Sequence, residues 1–268
     1  MLIKNGGVGK TTTTVNLGNG LARNGKKVLL IDLDPQGDLT TSLGYKNQDS
    51  IETTIKTLME KVIQEMPVNK DEGILQNEEG VHLIPANIEL EALEISMIKC
   101  VNKEKILKQY VEKVKDDYDY ILIDCRPSLG LLTINALATA DSVIIPVQAQ
   151  YLPLKGMTQL MQTIDKTRVQ INSKLKIEGV LLTIADMKTK LAKTAIETLR
   201  NNYGRRIKIY NTIIPMGVKA AESTIEGKSV YAYDKKSKPA IAYEEFTKEV
   251  LKNGERDKFR TSECRWFI

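Results

Sequence analysis

Short runs of consecutive apolar residues alternate along the chain with longer segments in which apolar residues recur every three or four positions. The runs are typical of strands buried on both faces of a parallel sheet, and the longer segments are typical of amphipathic helices. Strands are predicted over 28–34, 81–85, 120–124, 142–147, 179–186 and 207–215, and helices over 10–24, 51–66, 106–114, 155–171, 191–203 and 240–251. The pattern therefore predicts an α/β fold with a mostly parallel twisted sheet flanked by helices.

The two ends of the chain depart from this alternation. Only Met1-Leu2-Ile3 precede a glycine-rich turn, where a buried strand of about five residues is normal, so we expect a shortened first strand. Residues 252–268 are charged and have no clear period, which predicts a poorly ordered tail. The expected organisation is one domain over 1–251 followed by a tail over 252–268.

The amino-acid composition limits the class of protein but does not indicate a specific function. The 268 residues are 42% hydrophobic and 27% charged, and no apolar run is long enough to cross a membrane. Three scattered cysteines do not make a disulfide framework, so we expect a reducing, cytoplasmic location. The formal net charge is +5, and the stretch 186–249 alone has 13 Lys and Arg against 8 Asp and Glu. Such a basic cluster can attract nucleic acid, although it can also be an ordinary solvated surface.

The first candidate functional segment is the glycine-rich turn 6–12, whose sequence is Gly-Gly-Val-Gly-Lys-Thr-Thr. Glycines let backbone N–H groups surround phosphates, and a helix that starts there directs its positive end at the anion. In such a phosphate-binding loop, Lys10 reaches the β- and γ-phosphates and Thr11 binds Mg²⁺. The general pattern has a glycine where Lys4 stands, so the alternative of a simple turn before a surface helix stays open on this segment alone.

Carboxylates follow two of the predicted buried strands. Asp32 and Asp34 end the run 28–34 and share one face of the strand, while Asp124 ends the run 120–124. Because chemistry gathers at the carboxyl ends of parallel strands, these aspartates are candidates for binding Mg²⁺ or orienting water. The alternative is that they cap turns. The single histidine, His82, lies inside a predicted strand and is expected to be structural.

Together these segments resemble the partition ATPases of the ParA/Soj family, a deviant-Walker group that also includes MinD. The resemblance covers residues 6 to about 251. It rests on the turn 6–12, on Asp-Leu-Asp-Pro-Gln-Gly at 32–37, and on Asp-Cys-Arg-Pro-Ser-Leu-Gly at 124–130. Thr-Ile-Ile-Pro at 212–215 and Gly-Lys-Ser at 227–229 also agree with it.

The resemblance implies an ATPase that uses ATP and Mg²⁺, forms an ATP-dependent homodimer and binds DNA non-specifically on the nucleoid. A ParB-like partner would stimulate hydrolysis, and the process served would be segregation of a plasmid, mobile element or chromosome. By position, Lys10 and Asp34 would be catalytic, and Thr11, Asp32 and Asp124 would lie at the metal. The nucleotide-binding residues would be Asn5, Gly6, Gly7, Val8, Gly9, Lys10, Thr11, Thr12, Pro215 and Gly217. The DNA-binding residues would be Lys188 and Lys219, with Lys190, Lys193 and Arg200 nearby.

Three features differ from the family pattern. Asn5 stands where the family has the signature lysine that reaches the partner subunit's ATP, Arg126 replaces a proline, and the first strand is short. We therefore expect weakened nucleotide binding and impaired hydrolysis. Two alternatives follow: a hydrolysis-impaired DNA-binding relative, and a MinD-like membrane-switch ATPase. The second requires an amphipathic C-terminal helix, and the tail has no helical apolar stripe, so no stable membrane association is expected.

Overall fold

A computed structural model describes residues 7–149, 154–258 and 265–267 of the chain. The helices are α1 (Lys10–Arg23), α2 (Asp38–Ser42), α3 (Ile55–Ile63), α4 (Leu90–Met97), α5 (Ile106–Val114), α6 (Leu131–Thr139), α7 (Leu154–Gln170), α8 (Lys190–Tyr203), α9 (Val218–Ile225), α10 (Val230–Asp234) and α11 (Lys238–Lys258). The strands are β1 (Val28–Leu33), β2 (Leu75–Gln76), β3 (His82–Ile84), β4 (Tyr120–Cys125), β5 (Ser142–Gln148), β6 (Lys176–Ala185), β7 (Ile209–Pro215) and β8 (Arg265–Phe267). Short 3-10 turns lie at Gln48–Ser50, Lys103–Lys105 and Lys115–Asp117.

The strands form one eight-stranded sheet in the order β2-β3-β1-β4-β8-β5-β6-β7. Only the short outer pair β2 and β3 is antiparallel among the described strands, and the other neighbours are parallel. Within the sheet, β1 and β4 lie side by side, with Asp32 opposite Asp124 and Leu33 opposite Cys125. The predicted mostly parallel α/β fold is confirmed.

Hydrophobic residues fill both faces of the sheet. One core places Leu29, Ile31 and Ile123 against the helices α3 to α8. The opposite core places Leu30 and Leu122 against α1, α2, α10 and α11. Every residue of β1 and β4 is buried, which explains why these strands are uninterrupted apolar runs until their terminal aspartates.

Helix α1 packs unusually close to β1 because it contains small residues on its inner face. A side chain built at Gly18 would approach Leu30 to 2.7 Å, which is closer than real side-chain contacts come. The helix ends before Gly25, whose φ of 75° is the left-handed conformation that glycine adopts without cost. This packing fixes the start of α1, and with it the glycine turn, relative to the end of β1.

The C-terminal segment contains the end of a long helix and a short strand. Helix α11 continues to Lys258, and Arg265–Phe267 forms β8, which pairs in parallel with both β4 and β5. Local periodicity carries no signal for this strand, because its three residues are positioned by pairing with strands far away in sequence. The expected short first strand, residues 1–3, lies outside the described residues.

Candidate nucleotide-binding site

The glycine turn has the backbone conformation that a phosphate-binding loop requires. Gly7 and Gly9 have φ values of 86° and 77°, and α1 begins directly afterwards at Lys10. The turn is held from the side by β6, because the Thr183 hydroxyl donates a hydrogen bond of 2.8 Å to the Val8 carbonyl. The N-terminal N–H groups of α1 therefore lie at the carboxyl edge of the sheet and are suited to bind an anion.

Asp124 lies directly beside the first turn of α1. The Thr11 hydroxyl donates to its Oδ2 at 2.7 Å, and the Thr14 hydroxyl donates to its Oδ1 at 3.3 Å. Asp124 is 3% exposed, and burial raises the pKa of its carboxyl to about 6, although the Thr11 hydrogen bond lowers it. A hydroxyl and a carboxylate in contact form a pair of hard oxygen ligands that suits Mg²⁺.

Lys10 and Asp34 lie close enough together for each charge to influence the other. Burial lowers the pKa of the Lys10 ammonium, and the nearby Asp124 and Asp34 carboxylates oppose that shift. Asp34 is half-buried just beyond the end of β1, where its Oδ1 accepts a hydrogen bond of 3.1 Å from the Gln36 N–H. Burial raises the pKa of Asp34, and Arg126 and Lys10 oppose that shift. The predicted lysine and carboxylates thus meet at one edge of the sheet.

Asp32 has a different environment from the one expected for a metal ligand. It is fully buried, and its Oδ2 accepts hydrogen bonds from the Thr40 N–H (2.9 Å) and hydroxyl (2.7 Å). Its Oδ1 accepts from the Asp34 N–H at 3.2 Å. Burial, reinforced by the Asp124 charge, raises the pKa of Asp32 to about 8. Asp32 therefore fixes the turn between β1 and α2 from behind, and this geometry favours Thr11 and Asp124 over Asp32 as direct metal ligands.

We expect Thr40→Val to destabilise the protein by about 1–3 kcal/mol, because it removes a buried donor to Asp32 without changing side-chain shape. The same hydroxyl accepts a hydrogen bond from the Ala86 N–H at 3.1 Å, so a second buried group loses its partner. Chemical denaturation measures the change. Thr41→Val is the matched control, because the half-buried Thr41 hydroxyl bonds only carbonyls of its own turn and the Gln48 amide. Equal stability of the two variants would contradict the role given to Thr40.

The remaining predicted residues occupy loops at the same edge or exposed helices. Pro215 ends β7 beside Ala185, and Gly217 precedes α9. Lys188 is exposed in the loop between β6 and α8. Lys219 on α9 forms an ion pair of 2.9 Å with Glu222. Asn5 and Gly6 lie outside the described residues.

His82 has a structural environment. Its Nδ1 lies 2.8 Å from the Tyr118 hydroxyl, and the two rings pack edge to face. Among the residues that the structure describes, no group of three or more His, Cys, Asp or Glu side chains could hold a metal ion.

Sequence reasoning missed the residues that support the site from other elements. Thr40, Thr183 and Glu94 all hold loops of the site through hydrogen bonds. Thr183 and Glu94 lie far in sequence from the groups that they hold, whereas Thr40 is eight residues from Asp32. A threonine eight residues after Asp32 is the only local signal of the three, because Asp-to-N–H bonds are common at the start of a helix. The site as a whole fits ATP and Mg²⁺: a positive-φ glycine turn, a half-buried lysine, and a hydroxyl–carboxylate pair.

Comparison with known proteins agrees with this geometry. Residues 1–177 match the family model described as an AAA domain. The chain is 44% identical over 249 residues to the sporulation initiation inhibitor protein Soj of Bacillus subtilis, covering 93% of this chain and 96% of that protein. The chain belongs to the ParA/Soj family of partition ATPases.

Two further relatives extend the comparison. The chromosome partitioning protein ParA of Caulobacter vibrioides is 39% identical over 255 residues, covering 94% of this chain and 92% of that protein. A crystal structure of cobyrinic acid a,c-diamide synthase from Mycobacterium smegmatis, with bound ATP analogue and magnesium, has a TM-score of 0.80. It is 32% identical and covers 99% of this chain and 96% of that one. The expected cofactors, ATP and Mg²⁺, agree with that structure. In the described part of this ParA/Soj-family chain, no helix combines the length and apolarity needed to span a membrane.

Proposed function

We propose that this ParA/Soj-family protein hydrolyses ATP in the presence of Mg²⁺ and uses the ATP-bound state to dimerise and to bind DNA for segregation. One observation carries the proposal: Lys10, Asp34 and the Thr11–Asp124 pair converge at the carboxyl edge of β1 and β4. The replicon would be a plasmid, mobile element or chromosome, and a ParB-like protein would stimulate hydrolysis on the nucleoid.

Each group of site residues has a separate role in the proposed reaction. The backbone N–H groups of the glycine turn and the Lys10 ammonium bind the phosphates and hold them in place. Thr11 and Asp124 would hold Mg²⁺, and the bound ion would supply positive charge that offsets the charge of the phosphates. Asp34, just beyond the end of β1, orients the attacking water. Pro215 and Gly217 line the base pocket at the end of β7.

DNA would be bound through its phosphates without reading the bases. Lys188, Lys190, Lys193 and Arg200 are all exposed on or next to α8. A row of cations on one helix suits phosphate contact, so affinity should fall steeply with salt. Lys219 is partly neutralised by Glu222, which also accepts a hydrogen bond of 2.9 Å from the Tyr233 hydroxyl. A DNA phosphate would therefore have to compete with Glu222 for Lys219.

We expect Lys219→Glu to lower DNA affinity at least tenfold, because it replaces a cation at the interface with an anion beside Glu222. Fluorescence anisotropy with a non-specific duplex and an ATP analogue measures the affinity, and nucleotide binding is measured separately. Lys248→Glu is the matched control, because Lys248 also pairs with carboxylates but lies on α11. Unchanged DNA affinity in the Lys219 variant, with ATP binding intact, would remove Lys219 from the interface.

The same two assays separate the alternatives. Hydrolysis of ATP that depends on Mg²⁺, together with DNA binding that depends on ATP rather than ADP, supports the proposal. DNA binding that is independent of nucleotide, with no hydrolysis, would indicate the hydrolysis-impaired relative that Asn5 suggests. A MinD-like membrane switch is disfavoured by the position of β8 between β4 and β5, because a strand paired on both sides is not an amphipathic helix free to bind lipid. Pelleting with anionic lipid vesicles tests this alternative directly.

A further inference from the structure

Arg126 is the one basic side chain of the loop 126–130, which follows β4 at the edge of the sheet that carries the site. The parallel register places Asp32 opposite Asp124 and Leu33 opposite Cys125. Asp34 directly follows Leu33, and Arg126 directly follows Cys125, so both residues leave neighbouring strands at the same edge of the sheet. This is the edge at which the terminal phosphate of ATP is expected.

The guanidinium of Arg126 is held at present by two carboxylates of α4. Its Nη1 lies 3.3 Å from Glu94 Oε2, and its Nη2 lies 3.9 Å from Glu91 Oε1. Both distances exceed those of a strong bidentate ion pair, and the Arg126 side chain is 30% exposed. Long ion pairs at a partly exposed position contribute little, so the guanidinium can leave them for a stronger anion at small cost.

Glu94 is fixed independently of Arg126. Its Oε1 accepts a hydrogen bond of 3.2 Å from the Leu132 N–H at the start of α6. A side chain at Gly130 would collide with the same oxygen, so the loop is shaped to let Glu94 reach α6. Loss of Arg126 would therefore leave Glu94 in place, and α4, the loop and α6 would remain linked through Glu94.

We propose that Arg126 is a phosphate-sensing residue that exchanges Glu94 and Glu91 for the terminal phosphate of a bound nucleoside triphosphate. This inference rests on the proposed function, because it requires ATP at the glycine turn. A triphosphate presents a terminal group with two negative charges, and a guanidinium binds such a group with paired hydrogen bonds. A diphosphate offers no group at that position, so Arg126 stays with Glu94. Arg126 thereby couples the nucleotide state to α4, and it adds a cation at the terminal phosphate in a chain that has Asn5 in place of the signature lysine.

The test compares dissociation constants for a non-hydrolysable ATP analogue and for ADP, both with Mg²⁺, by competition with a fluorescent nucleotide. We expect Arg126→Ala to weaken analogue binding about tenfold while ADP binding stays unchanged, since it removes charge-assisted hydrogen bonds made only to the triphosphate. Arg126→Lys should recover part of the loss, because it keeps the charge but not the fork. Arg168→Ala is the matched control, because Arg168 pairs with Asp165 on α7 in an exposed ion pair.

A second variant tests the exchange itself. Glu94→Gln keeps the carbonyl oxygen for Leu132 but removes the competing charge, so analogue affinity should rise about two- to fivefold relative to ADP. In the Arg126→Ala background, the same change should have no effect, as in a double-mutant cycle. The inference would be overturned if Arg126→Ala changed analogue affinity and ADP affinity equally, or changed neither of them. It would also be overturned if the effect of Glu94→Gln on analogue affinity persisted without Arg126. A wild-type protein that binds neither nucleotide would instead overturn the proposed function, and the inference with it.

Discussion

Replacing Asp34 with Ala is expected to reduce ATP hydrolysis by about 10²–10⁴-fold, which is the contribution that a positioned carboxylate makes when it orients or deprotonates water. Binding of ATP and Mg²⁺ should survive, because Asp34 touches neither the glycine turn nor the Thr11–Asp124 pair through a hydrogen bond, and its Oδ1 accepts only the N–H of Gln36 among described residues. A phosphate-release assay with saturating ATP measures hydrolysis, and a fluorescent-nucleotide titration measures binding.

Asp38→Ala is the matched control for this prediction. Asp38 is an exposed carboxylate in the first turn of α2, close enough to Lys10 and Asp34 to contribute to their electrostatics. Asp38→Ala changes the local charge by the same amount as Asp34→Ala. If the position of the Asp34 carboxylate matters, rather than its charge alone, hydrolysis in Asp38→Ala should change little. Comparable loss of hydrolysis in both variants, or normal hydrolysis in Asp34→Ala, would contradict the role proposed for Asp34.

The central strands and the motif residues at their ends could be predicted from the sequence because their signals are local. A strand buried on both faces is an apolar run, as in β1 and β4, and a carboxylate that ends such a run marks the edge of the sheet. The glycine turn is equally local, since positive φ at Gly7 and Gly9 limits which residues can stand there. These features place Lys10, Asp34 and Asp124 together.

The supporting contacts could not be predicted in the same way, because they depend on how the elements pack. The Asp32 oxygens accept hydrogen bonds from Thr40 and from the Asp34 N–H, and these bonds form only when α2 folds back beside the end of β1. The Glu94–Arg126 pair joins α4 to the loop after β4 across 32 residues. Such pairs depend on how the elements pack, and single-sequence periodicity does not contain that information.

The C-terminal strand β8 lies between the two halves of the sheet that carry the site. Trp266 lies opposite Ile121 of β4, while Phe267 lies opposite both Leu122 of β4 and Ser142 of β5. Strand β8 therefore joins the half of the sheet that carries Asp34 and Asp124 to the half that carries Thr183, which holds the glycine turn. A central strand between two parallel neighbours contributes backbone hydrogen bonds on both sides.

Trp266→Pro is accordingly expected to destabilise the protein by about 3 kcal/mol or more, because proline removes an N–H and fixes φ in the middle of a central strand. For a chain of this size, such a loss lowers the thermal midpoint by roughly 6–12 °C, as calorimetry or circular dichroism would measure. Arg265→Pro is the matched control, since proline is tolerated at the first residue of a strand. Affinity for a non-hydrolysable ATP analogue should fall together with stability in Trp266→Pro, because the strand beside β4 supports Asp124. If the two proline variants unfold at the same temperature as the wild type, residues 265–267 do not complete the sheet in solution.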